Sequence, residues 1–150
     1  MKIRNGFVTN SSSSSFIVAA KTDKDKTLAI VLDVISRSCD GYETCKGRII
    51  GNIEELNGYY IKNFDDRALT IKDVLKENEY LEEYYNKMKD YIEKGYVILV
   101  KEIGYSDNTM KELIYDLSKD IEDFIVIDND FWNKVIWCQI VKFIAETVSK

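Results

Sequence analysis

The chain has 150 residues, a formal net charge of −5, three cysteines, no proline and no histidine. Lack of histidine excludes a Ser-His-Asp triad, a Cys-His pair and any histidine-bearing zinc site within the chain. With 45% hydrophobic and 31% charged residues the composition is that of an ordinary globular domain, and a chain of this size buries roughly 70% of its unfolded surface; one domain, 1–150, is expected.

Residues 2–8 and 16–21 read as two strands joined by Thr9 to Ser15, which predicts an antiparallel N-terminal hairpin. Along the second strand Phe16, Val18 and Ala20 share one face, and Ile17 and Ala19 the other. Thr27 to Ile35 is almost continuously apolar, so periodicity alone does not separate buried helix from buried strand. Thr22 and Asp23 are N-cap types followed by a charged first turn, which favours a helix within 24–38. Cys39 to Tyr42 looks like a turn. Arg48 to Ile50 and Tyr59 to Ile61 are expected as short strands about a glycine-bounded turn near Glu54 to Gly58.

Thr70-Ile-Lys-Asp73 fits a capping box with Asp in place of Glu. Ile71, Val74, Leu75, Leu81, Tyr85, Met88 and Ile92 then repeat at helical spacing, and Gly95 is a C-cap signal, so one helix is expected. Tyr96 to Val100 reads as a strand. A helix follows from Asp107 or Asn108, with Met110, Leu113, Ile114 and Leu117 on one stripe. Phe124 to Ile127 is a second strand, and a final helix spans about 129–148 with a broad apolar face suited to packing on a sheet. The connection between the two strands predicts a right-handed parallel βαβ unit at 96–127. The fold class expected is α/β or α+β, with a mixed sheet and a long C-terminal helix.

No export signal is read at the N-terminus, because the serines interrupt any apolar run, and no stretch approaches the ~20 residues of a membrane helix. The odd cysteine count then suggests reduced thiols in a cytoplasmic protein, and the five-residue spacing of Cys39 and Cys45 is wide for a zinc knuckle. No metal and no cofactor are expected.

Three groups of residues offer chemistry. The serine run, Ser11, Ser12, Ser13, Ser14 and Ser15, with Asn10 and Arg4, could present N–H groups and hydroxyls to a phosphate or nucleotide. It lacks the glycine-lysine pattern of a phosphate loop, and a plain turn or a closely packed strand explains it as well. Glu102, Asp128 and Asp130 fall at strand ends, where they could hold Mg²⁺, with Lys101 completing a nuclease-like set. Asp128 or Asn129 is better explained as the N-cap of the last helix. Third, Glu79, Tyr80, Glu83 and Tyr84 stud one helix, and Tyr suits interface anchors. Residues 101–130 hold nine acids and three bases, Asp116, Asp120, Glu122 and Asp123 among the acids. Such a surface disfavours direct nucleic-acid binding and suits a basic partner.

The stretch Arg4-Asn-Gly-Phe-Val-Thr-Asn-Ser-Ser-Ser-Ser-Ser-Phe-Ile17 resembles an N-terminal signature of small uncharacterised proteins of bacteriophages and bacterial mobile elements, with Thr9 in place of the usual Ser. The resemblance covers about the first seventeen residues. It implies a phage or prophage origin and action in the host cytoplasm, and it transfers no catalytic residue. The reading reached from sequence is an accessory protein that binds and inhibits a host defence or nucleic-acid-processing protein, as an anti-CRISPR does. The alternative is a nucleotide or phosphate-ligand sponge using the serine loop; an ADP-ribosyltransferase-like enzyme drawn from Arg4 and Glu82 or Glu146 lacks suitable placement.

Overall fold

The computed structural model describes residues 14–23, 26–38, 47–64, 67, 70–76, 78–104 and 108–148. Its elements are β1 (Ser14–Ala20), α1 (Lys26–Arg37), β2 (Arg48–Ile50), α2 (Ile53–Phe64), α3 (Ile71–Leu75), α4 (Glu79–Glu93), β3 (Val97–Ile103), α5 (Asn108–Asp120), β4 (Phe124–Asp128) and α6 (Phe131–Val148). Helices and strands mix as expected. The sheet runs β2-β3-β1-β4, and every neighbouring pair is antiparallel.

The expected parallel βαβ unit is therefore corrected. β3 and β4 do run in the same direction, but β1 lies between them and pairs antiparallel with both. The cause is the composition of β1. Phe16 to Ala20 are all fully buried, so the strand has no face fit for water and takes a central place. The first strand of the expected N-terminal hairpin, residues 2–8, lies outside the described residues.

Alternation along β1 and β3 sorts the core onto two faces. Ile17, Ala19, Ile98 and Val100 pack with Leu56, Leu81, Met88, Phe131 and Val135 from α2, α4 and α6. Phe16, Val18, Leu99 and Ile103 pack with Leu28, Leu32 and Ile35 of α1 and Ile114 of α5. The result is three layers, helices on both sides of one sheet. The first face is bound by edge-to-face rings: Tyr60 on Tyr85 at 5.3 Å, Tyr60 on Phe64 at 5.1 Å and Tyr84 on Phe131 at 5.2 Å.

Two local expectations change. Tyr59 to Ile61 is helical rather than a strand. Asn52 Oδ1 accepts the Glu55 amide at 2.8 Å, and Glu55 reaches back to the Gly51 amide at 3.1 Å, so the segment carries its own start signal. Leu56, Tyr59 and Tyr60 then recur at helical spacing and all point inward, and that burial outweighs the β preference of Tyr-Tyr-Ile. The single helix expected beyond Thr70 is two. Thr70 does cap α3 through the Asp73 amide, but Asn78 starts a second helix by accepting the Tyr80 amide at 2.8 Å.

Gly95 ends α4 as expected. Its φ is +95°, its amide bonds Ile92 O, and the Tyr96 amide bonds Tyr91 O, the two bonds of a Schellman motif. At the end of α1, Gly47 lets the chain pass close: a Cβ there would sit 2.9 Å from Leu99 Cδ1 and 3.1 Å from the Ser36 backbone. Lys101 is buried beside this contact and donates to the carbonyls of Ser36 and Ser38, placing a cation at the negative end of α1.

Candidate functional site

Arg4, Asn10, Ser11, Ser12 and Ser13 of the proposed anion cradle lie outside the described residues. Ser14 begins β1 and pairs with Ile103. Ser15 is fully buried, paired with Glu102 on one side and bridged to Asp130 on the other. Its Oγ has no hydrogen-bond partner among the described residues. The last serine of the run is thus part of the sheet, next to the start of α6, with its hydroxyl away from solvent.

The acids at the strand ends separate. Lys101 shares the face of Leu99 and Ile103, whereas Glu102 alternates onto the face of Ile98 and Val100. Asp128 stands on β4, across β1 from both. Among the described residues no three acids or cysteines stand close enough to hold a metal ion. Cys39 and Cys45 lie outside those residues.

Asp128 instead builds a cluster that the sequence pattern did not suggest. A shift of register between Ile17 and Val18 sets Asp128 opposite Ile17. Asp128 Oδ2 accepts the Asp130 amide at 3.2 Å, an Asx turn two residues on. The N-cap position before Phe131 is Asp130, whose carbonyl accepts the Lys134 amide, so neither Asp128 nor Asn129, the expected caps, takes it. Asp128 Oδ1 receives Lys134 Nζ at 2.9 Å, and Lys134 also donates to Tyr84 Oη at 3.0 Å. The bond to Asp128 holds Lys134 protonated well above the ordinary lysine range. Burial pushes the Tyr84 hydroxyl up, so it stays neutral. Neither group is poised as a base near neutral pH. The arrangement ties α4, β4 and α6 together.

The expected partner-binding residues fall on two surfaces. Glu79 and Glu83 are exposed on α4, Tyr80 is half-buried, and Tyr84 is inside. Asp116, Asp120, Glu122 and Asp123 are exposed on α5 and the turn after it, on the opposite side of the sheet. Glu112, Asp116 and Asp120 recur every four residues on one stripe of α5, and Leu113 is exposed beside them. Tyr115 fixes this helix in place: its ring meets Phe16 edge-on at 5.5 Å, and its Oη accepts Asn129 Nδ2 at 2.6 Å.

A further surface was missed. Among the described side chains, α6 joins the core through Phe131 and Val135 in its first half, and Trp137, Val141, Phe143, Ile144 and Val148 are exposed. A helix apolar on nearly all sides is a signal for burial on more than one side. No helix among the described residues is long and apolar enough to cross a membrane. The chain matches no protein-family profile, no curated protein and no solved structure.

Proposed function

We propose that the protein is an accessory factor of phage or mobile-element origin that acts in the host cytoplasm by binding. Its target is the basic nucleic-acid groove of a host defence or nucleic-acid-processing protein, which it inhibits as an anti-CRISPR does. The observation that carries this reading is the acidic ridge of α5. Glu112, Asp116 and Asp120 are exposed along one stripe, spaced by about 6 Å of helix rise. Glu122 and Asp123 extend the ridge into the next turn, and Leu113 adds an apolar contact beside it. A row of carboxylates complements a groove built for phosphates, steering the encounter and fixing register. The reading of origin rests on the N-terminal signature.

The test is capture from a susceptible host, followed by competition. A specific basic protein should be retained, and added nucleic acid should displace it. Asp116→Asn with Asp120→Asn should weaken capture about tenfold, a loss of ~1.4 kcal/mol. Capture that is indifferent to both nucleic acid and these acids would remove the reading.

A further inference from the structure

We propose that Asn57 is a site of covalent modification, by intramolecular deamidation followed by addition of water, and that the fold of α2 holds the reaction back until that helix opens. Asn57-Gly58 is the one Asn-Gly pair among the described residues, and it lies in the second turn of α2. Gly58 supplies an amide nitrogen with no Cβ to shield it. The residue is exposed, and a Cβ built there has nothing within 4 Å, so no packing hinders approach. In an opened chain the Gly58 nitrogen attacks Asn57 Cγ. The N–Cγ bond forms, the Cγ–Nδ2 bond breaks, and ammonia leaves with the amide proton. Water then opens the succinimide at one carbonyl or the other, giving aspartate or isoaspartate.

Two features of the folded protein oppose this attack. Inside α2 the Gly58 amide is engaged in the helical ladder, and helix geometry tilts the Asn57 side chain back toward the helix N-terminus, away from the amide that follows it. Tyr85 Oη then donates to Asn57 Oδ1 at 2.6 Å, tying the side chain to α4. Leu56, Tyr59 and Tyr60, on either side of the pair, are buried, so opening α2 exposes part of the core and is rare. The isoaspartate product carries the main chain through the side-chain methylene and adds one backbone atom between Leu56 and Tyr59. That shifts the buried stripe of α2 out of register, so a chain that reacts while open closes less well. The site therefore keeps a covalent record of α2 opening. It is separate from the acidic ridge of α5, so either inference can fail alone.

Peptide-resolved mass spectrometry of the full chain, aged at mildly alkaline pH with and without guanidinium chloride, tests the assignment. Asn5-Gly6, the same dipeptide elsewhere in the chain, is the reference in guanidinium. There both pairs should convert at similar rates. In buffer Asn57 should convert at least about tenfold more slowly than it does denatured. Gly58→Ala should slow its conversion in guanidinium about tenfold, because the added Cβ crowds the attacking nitrogen. Tyr85→Phe should speed conversion in buffer about fivefold, the effect of one lost hydrogen bond. Tyr84→Phe, which removes a hydroxyl of the same helix bonded to Lys134, should speed it less. Equal rates at Asn57 in buffer and in guanidinium overturn the protection by α2. An Asn57 that stays intact in guanidinium while Asn5 converts overturns the site. Conversion in Tyr85→Phe no faster than in Tyr84→Phe overturns the part given to Tyr85.

Discussion

Asn78 joins two elements that lie 57 residues apart in the chain: its side-chain amide donates to the Val135 carbonyl at 3.1 Å. The other end of the same side chain accepts the Tyr80 amide and starts α4. One buried residue thus satisfies an orphan donor at a helix start and an interior carbonyl of α6. Asn78→Ala should cost about 2 kcal/mol, the sum of a typical cap and a buried hydrogen bond. Asn78→Asp keeps the cap and loses the donor, so hydrogen exchange at Tyr80 should stay slow while the urea midpoint falls.

Lys134 and Asp128 give a second coupling. The lysine side chain is 37% exposed and the aspartate 10% exposed, so solvent weakens the attraction without removing it. Lys134→Met leaves a largely buried carboxylate without its cation, and about 1–2 kcal/mol should be lost. Adding Asp128→Asn should recover part of that loss. A double-mutant cycle in urea with no coupling between the two sites would contradict the pairing.

Two glycines should respond in opposite directions to alanine. Gly95 has φ +95°, and a Cβ there would meet only Lys21 Cε at 3.7 Å. Gly95→Ala is therefore a conformational penalty and not a clash, about 1–2 kcal/mol. Gly58 lies inside α2 with nothing within 4 Å of a built Cβ. Gly58→Ala should stabilise by about 0.5–1 kcal/mol through the unfolded chain. Thermal melts of the two variants should shift to opposite sides of the parent.

Alkaline pH should unfold the protein progressively. Burial raises Tyr60 well above the ordinary tyrosine value of 10.0, and burial also raises Tyr84 and Tyr85. Each keeps its proton longer folded than unfolded. Their contribution is fully present below pH 10 and is lost as pH rises through the folded values. Lys134, also raised, acts with the same sign. The melting temperature should be insensitive to these groups near neutrality and fall above pH 10. Tyr60→Phe loses the bond to Leu81 O, and it should lower stability at pH 7 while making the alkaline decline shallower.

How far the fold was legible depended on how local each signal was. The alternation of Phe16, Val18 and Ala20 against Ile17 and Ala19 is written in five residues, and the two core clusters repeat it. The Thr70 cap and the Gly95 stop are also contained within a turn. Tyr59-Tyr60-Ile61 carries a β preference of its own, and the Asn52–Glu55 cap that makes it helical lies a full turn and more upstream. The break at Asn78 was hidden because helical spacing continues across it, while the carbonyl that holds Asn78 belongs to α6.

By itself the sequence determined that the chain would mix helices with a sheet, about where α1, α5 and α6 begin, where α4 ends at Gly95, and which residues of β1 share a face. It also determined the acidic stripe of α5, since four-residue spacing on a helix is a local property. Only the tertiary structure decided that β1 separates β3 from β4, because pairing between distant strands is chosen by which strand is apolar on both faces. The same nonlocal choice put Lys101 and Glu102 on opposite sides of the sheet, buried Ser15 beside the start of α6, and drew Lys134 to Asp128. It also left residues 141–148 of α6 exposed, because the α6 side chains that join the core, Phe131 and Val135, lie in its first half.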